Sequence, residues 1–307
     1  MKNFLYELKV KYLNKLDRYK KKNQRPLYNE LEKYKEYVKS KDNHIALGFG
    51  AGRTGQSWFS RIFNNHQNWI GSHERFPDYE AFYRYITFYD LPISKENFFN
   101  LLKLSAYRDM SKYQNTFISS PYFSFGVNEL VKEINPNFIF FNLRNPINSV
   151  ESFFQKGWYN KSNEFNNKSP LIDISNNLYR SFSRIIPKQD FLDEWNRLTR
   201  IGKITWFWAL NNQKIYEDFE KIKNIEKFYL KLEDIDQNYD FYERLSTKFL
   251  FEKKLSKKGF LQTKIITPNI ELGNEYKYNE WNSLEKNEFE NILTQFFPYY
   301  DKINTNI

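Results

Sequence analysis

HIALGFGAGRTGQSW, running from His44 to Trp58, is the stretch whose reading decides the fold. Its first part, His44 to Phe49, is a short apolar run halted by Gly50, the pattern of a buried strand. Its last part opens a helix-like run in which Trp58, Phe59, Ile62 and Phe63 share one face. Glycines in the segment between let the backbone fold back so that several N–H groups point inward. The helix N-terminus adds partial positive charge, and the two together make an anion cradle. Arg53 supplies a full charge, while Thr54, Gln56 and Ser57 supply side-chain donors. The Gly-Lys-Ser/Thr ending of a Walker A loop is missing, so no lysine grips a phosphate in front of a magnesium-binding hydroxyl. That disfavours an ordinary ATPase or kinase. A glycine-rich turn that holds no ligand is the competing reading.

Outward from this stretch the pattern is strand alternating with helix. Asn68–Ser72 (NWIGS) and Thr116–Ser119 (TFIS) read as strands, and Phe125–Ile134 reads as a helix. Asn137–Leu143 (NFIFFNL) is the strongest buried-strand signal, with almost no polar alternation. Lys203–Lys221 reads as a helix, Lys227–Leu232 as a strand, and Tyr239–Phe251 and Leu284–Phe297 as helices, with 253–281 irregular. Continuous apolar strands separated by helices predict a parallel sheet covered on both faces. The fold expected is α/β, of three-layer P-loop type, with a central parallel sheet of four to five strands. Ligands of such sheets bind at the carboxyl ends of the strands. Residues 50–58, His73–Glu74, Ser119–Pro121 and Arg144–Pro146 then surround one crevice.

A second anion grip follows the apolar strand in RNPINSVES, Arg144–Ser152. Pro146 breaks the strand and can start a helix. Ser152 lies two turns down that helix, so one guanidinium and one hydroxyl can converge on an anion. Arg144 capping a loop through a carboxylate is the alternative.

Here the chain resembles the sulfotransferases that use 3′-phosphoadenosine 5′-phosphosulfate (PAPS). GRTGQSW at 52–58 is similar to that family's 5′-phosphosulfate loop, with Gln56 where a hydroxyl residue is usual. RNPINSVES is similar to its 3′-phosphate motif, an Arg-Asp/Asn-Pro turn with a serine eight residues after the arginine. The resemblance is one of organisation over roughly 44–235 and is sharp only in these two motifs. It implies that Gly52, Arg53, Thr54, Gly55, Gln56 and Ser57 hold the 5′-phosphosulfate end of the nucleotide. It implies that Arg144 and Ser152 hold the 3′-phosphate, with the two grips facing each other at the distance of a ribose. Trp58 is a candidate for stacking on adenine or a sugar, as is Trp158, although core packing is the better reading of both. Lys258 and Gly259 resemble a basic loop that closes over the 3′-phosphate and adenine in this family, and a solvated lysine turn accounts for them equally well.

Glu74, in GSHERF at 71–76, resembles the glutamate that deprotonates the acceptor hydroxyl in carbohydrate sulfotransferases. A carboxylate suits that task once burial lifts its pKa toward neutrality. His73 is the second candidate base, and Glu74 as a surface residue or an ion-pair partner of Arg75 or Arg53 is the competing reading. Another branch carries a histidine after the third strand, and the carbohydrate branch often a lysine in that stretch, where this chain has Ser119-Ser120-Pro121. The implied reaction is in-line transfer of a sulfuryl group from PAPS to an acceptor hydroxyl, carbohydrate or glycolipid by preference. It leaves 3′-phosphoadenosine 5′-phosphate, with Arg53 and backbone N–H groups stabilising the charge that develops. The competing functions are another P-loop phosphotransferase and a non-catalytic scaffold.

Composition bounds the rest. The 307 residues suit one large α/β domain with additions. There is no cysteine, hence no disulfide and no Cys-ligated zinc, and His44, His66 and His73 leave little room for a histidine metal cluster. No metal is expected. Of the net charge of +10, +7 belongs to residues 1–43. That segment reads as a basic helical extension of two helices preceding a main domain, 44–307, with an insertion at about 158–200. The main domain is nearly balanced in charge, which argues against nucleic acid as a partner. The extension either packs on the main domain or contacts an anionic membrane or partner. With no signal-peptide pattern, the expectation is a cytoplasmic chain, with a membrane-peripheral location as its variant.

Overall fold

The computed structural model describes residues 31–39, 43–160, 182–265 and 276–307. The first helix expected of the extension, and the centre of the insertion at 158–200, lie outside these residues.

Five strands form one sheet: β1 (Ile45–Phe49), β2 (Trp69–His73), β3 (Asn115–Ser119), β4 (Phe138–Leu143) and β5 (Glu226–Lys231). Their order is β2-β3-β1-β4-β5, and every neighbouring pair is parallel. Alternate side chains along a strand point to opposite faces, and the two cores follow that rule. Ile45, Leu47 and Phe49 of β1, with Ile139, Phe141 and Leu143 of β4, join one cluster. Ala46 of β1, Phe117 of β3, Phe140 of β4 and Phe228 and Leu230 of β5 join the other.

The first face is covered by α4 (Glu96–Tyr113), α5 (Val127–Ile134), α6 (Pro146–Gln155), α8 (Arg200–Lys221) and α12 (Ser283–Phe296). The second is covered by α2 (Gln56–Asn64), α10 (Tyr239–Lys248) and α11 (Lys257–Ile265). α1 (Leu31–Lys39), the described part of the basic extension, lies against α4. α3 (Pro77–Phe88) and α7 (Gln189–Arg197) flank the layers, and the single turn α9 (Leu232–Ile235) ends β5. Among the described residues, no helix is long and apolar enough to cross a membrane.

Topology places the functional rim. From β1 the chain turns toward β2, on one side of the sheet, and from β4 it turns toward β5, on the other. Adjacent strands whose connections diverge in this way open a crevice at their carboxyl ends. Register sets the levels of the rim, because Ser119 of β3 pairs with both Gly48 of β1 and His73 of β2.

Two expectations are corrected. The stretch expected to be irregular, 253–281, contains α11, and Lys258 and Gly259 lie in its first turn instead of a loop. Ser256 Oγ accepts the Gly259 N–H at 3.2 Å, a local bond that favours helix initiation there, and Lys258 points into solvent. Trp58, counted among the nucleotide contacts, is only 5% exposed. Its indole donates to Thr263 Oγ1 at 2.8 Å and its ring lies 5.9 Å from that of Phe260, so it is the seam between α2 and α11. Core packing, the better reading of the residue, is what is found.

Candidate functional site

The loop after β1 is built for a close approach. Gly52 and Gly55 take φ of 93° and 77°, and Arg53 between them also has positive φ, 58°. A side chain at Gly50 would meet Asn142 O at 2.7 Å and Thr54 Oγ1 at 2.9 Å, so only glycine fits under the turn. A side chain at Gly52 would meet Pro121 and Phe153, both at 3.3 Å. The loop is thereby clasped between the turn after β3 and helix α6. α2 begins at Gly55, which has no side chain with which to cap the positive end of the helix.

The two expected anion grips are brought together. Arg53 Nε donates to Ser152 Oγ at 2.8 Å, and Arg144 Nη1 donates to the Arg53 carbonyl at 3.1 Å. Expected to stand a ribose apart, the two turns are in direct contact. Both guanidiniums are half-buried. Burial, then the neighbouring Arg144, pulls Arg53 down to about 10, against an opposing pull from Glu74. Burial also lowers Arg144, offset in part by Glu233, Glu151 and Asp236. Glu233 accepts the Asn145 N–H at 2.9 Å, which ties the Arg-Asn-Pro turn to α9.

Not every side chain of the loop faces the crevice. Gln56 is buried and reaches back toward the Gly48 carbonyl at 3.4 Å, bracing the strand end. Its Oε1, Thr54 Oγ1 and both amide atoms of Asn142 are buried without a hydrogen-bond partner. Such atoms are rare in folded proteins and point to a water or ligand among them. Ser57 is half-exposed at the first turn of α2.

Glu74 stands where β2 ends, with φ of 49° and its N–H bonded to the Ser119 carbonyl at 3.0 Å. Its Oε1 lies 3.4 Å from His73 Nε2, and His73 Nδ1 lies 3.2 Å from Ser119 Oγ. Its charge is felt at Arg53. Arg75, one of its expected ion-pair partners, turns the other way, to Asp109 at 2.5 Å and to Ser105. A non-glycine residue at positive φ beside a titratable neighbour is the kind of strain that collects at functional sites.

Two charged residues of the site escaped the sequence reading. Glu80, on α3, is fully buried; it accepts the Phe76 N–H at 3.0 Å and the Ser120 hydroxyl at 2.8 Å. Burial pushes its carboxyl up to about 7, with Glu74 adding to the rise and His73 opposing it. No signal in the sequence distinguishes it from an acidic residue in the first turn of a helix. Lys156 ends α6, and its N–H bonds the Ser152 carbonyl at 3.3 Å. Burial, then Arg53, pushes its ammonium down to about 8. Its spacing of four from Ser152 is the signal that could have found it. An open cleft lined by Ile93, Lys95, Phe99 and Glu129 shares no residue with this site.

No protein-family model matches the chain, and no curated protein sequence matches it. Among solved structures it is similar to sulfotransferase STF9 from Mycobacterium avium, with a TM-score of 0.51 at 10% identity. That match covers 91% of this chain and 82% of the other. It is also similar to the sulfotransferase domain from the curacin biosynthetic pathway, with a TM-score of 0.40 at 12% identity, over 82% and 97% of the two chains. The first likeness is one of fold, and the second is too loose to add to it.

Proposed function

We propose that this chain is a sulfotransferase that moves a sulfuryl group from PAPS to an acceptor hydroxyl. The observation that supports this reading most is the junction of Arg53, Arg144 and Ser152 between β1 and β4. Two half-buried guanidiniums whose pKa values are both depressed are held together at a cost. A polyanion between them offsets that cost, and a 3′,5′-bisphosphate nucleotide has its anionic groups on both sides of one ribose. The uncapped start of α2 and the unpartnered Thr54 hydroxyl fit the same ligand.

In this reading Arg53, the 52–57 backbone and Ser57 hold the 5′ end, while Arg144 and Ser152 hold the 3′-phosphate. Glu74 takes the proton of the acceptor hydroxyl as its oxygen bonds to sulfur. The bond from sulfur to the bridging oxygen breaks on the opposite side, and Arg53 balances the charge that appears there. His73 orients the Glu74 carboxylate or replaces it as base. A carbohydrate or glycolipid acceptor follows from the resemblance of Glu74 to the base of carbohydrate sulfotransferases. Residues 1–43, with +7, would bring the enzyme to an anionic surface.

The test is release of 3′-phosphoadenosine 5′-phosphate from PAPS, measured against a panel of sugar hydroxyls and the acceptor-free background. Wild type is expected to exceed background with at least one acceptor. Glu74→Gln is expected to lose about 10²–10⁴-fold of that rate. Consumption of ATP–Mg with no turnover of PAPS would overturn the reading.

A further inference from the structure

We propose that Glu80 is a positioning residue: its carboxylate brackets the turns that follow β2 and β3, and so holds Glu74 in place at the crevice. The inference rests on the function proposed above and gives a role to a buried acid that lies outside both phosphate motifs.

The two oxygens of this carboxylate have different partners. Oε1 accepts the Phe76 N–H at 3.0 Å, in the turn that carries Glu74. Oε2 accepts the Ser120 hydroxyl at 2.8 Å, in the turn that follows β3. Ser120 is itself fixed to the strand that leads into the anion loop, because its N–H bonds the Gly48 carbonyl of β1 at 3.3 Å. Its neighbour Ser119 accepts the Glu74 N–H at 3.0 Å. Glu74 is thus clamped from both sides. Its own N–H goes to Ser119, and two residues on, Phe76 is tied through Glu80 to Ser120.

An acid in the first turn of a helix ordinarily caps that helix at a solvated surface. Capping explains the Phe76 bond and nothing more. Glu80 and Ser120 are both fully buried, and the second oxygen reaches the end of a different strand. Burying a carboxylate is unfavourable unless its oxygens are bonded, and here the bonds converge on a strained turn. Glu74 has φ of 49°, a conformation that a non-glycine residue keeps only when its surroundings over-determine it. The charges of Glu74 and His73 both act on the Glu80 carboxyl, so the bracket and the candidate bases adjoin. Position is what a base needs, since a displacement of about 1 Å can cost about 10²-fold in rate.

The experiment compares PAPS turnover and 3′-phosphoadenosine 5′-phosphate titration for wild type, Ser120→Ala, Glu80→Asp and Glu80→Gln, with Ser120→Ala also made in Glu74→Gln. Ser120→Ala removes one end of the bracket, and Glu80→Asp keeps the charge but is one methylene too short to span it. Each is expected to lower kcat about tenfold to a hundredfold, with the KM for PAPS and the nucleotide affinity changed less than about threefold. Glu80→Gln can still accept the Phe76 N–H and donate to the Ser120 oxygen, so it should keep kcat within about threefold. In the Glu74→Gln background, Ser120→Ala should cost nothing further, because the bracket acts through Glu74. A merely structural role would lower both backgrounds alike. Wild-type kcat in Ser120→Ala and Glu80→Asp, or an equal loss with and without Glu74, would overturn the role of Glu80 and leave the function standing. Absence of PAPS turnover by wild type with every acceptor would overturn both together.

Discussion

Glu80 and Glu74 stand six positions apart and show how burial separates two residues of one chemistry. Glu74, at the crevice, keeps company with His73 and Arg53, whereas Glu80 behind it is sealed by Phe76 and Ser120. The Glu80 carboxyl is pushed up to about 7, chiefly by burial, from an unfolded value near 4.5. Between those values the folded chain holds a proton that the unfolded chain has lost. The stability Glu80 contributes is thus full below about pH 4.5, declines as pH rises toward 7 and is flat above. Glu80→Gln keeps the shape and removes the titration. Urea unfolding at pH 5 and pH 8 should show the variant gaining on wild type with pH, by on the order of 3 kcal/mol. A difference between the two proteins that does not change with pH would contradict the assignment. The sequence makes Glu74 legible because it follows a strand inside a motif. Glu80 stays illegible because its burial depends on Ser120, forty residues away, which packs on it only in the finished fold.

At the scale of elements, the loop after β1 is only as well placed as α2, and α2 is placed by its contact with β2. A side chain at Gly71 of β2 would come within 2.0 Å of the Ser60 carbonyl in α2. Ser60 Oγ in turn reaches the Ser72 carbonyl at 3.2 Å and Ser119 Oγ at 2.8 Å. Gly71→Ala must therefore push the helix off the sheet, at a cost of about 1–3 kcal/mol or more. Because the loop ends at the first residue of α2, the same change should also weaken nucleotide binding. Thermal unfolding and nucleotide titration of Gly71→Ala check both effects, and unchanged stability would contradict this account of the packing. Strands β1 and β4 were legible because each is a nearly continuous apolar run, and α5, α8 and α12 because their apolar residues recur at helical spacing. The two helices over 77–113 went unread, since their aromatic and charged residues mix without a clean stripe. α11 was missed for a related reason: its KKGFLQTKI sequence carries an internal glycine and only a thin apolar face.

At the scale of the molecule, the expectation of a parallel sheet of four to five strands, covered on both faces, is met by five strands and two cores. The strand order itself was not legible, because it depends on which crossings the helices make and leaves no local mark in the chain. That order is what sets β1 beside β4 and so brings residues 52–57 and 144–152 to one crevice. The described helix of the basic segment, α1, lies on α4. The central claim is that two anion grips seize one nucleotide at both its 3′ and 5′ ends. Its most direct test is calorimetric titration with 3′-phosphoadenosine 5′-phosphate and with adenosine 5′-monophosphate, for wild type and Arg144→Ala. The account predicts that wild type prefers the bisphosphate by about tenfold to a hundredfold, and that Arg144→Ala abolishes most of this preference while still binding the monophosphate. Equal affinity of wild type for the two nucleotides, or an undiminished preference in Arg144→Ala, would contradict it.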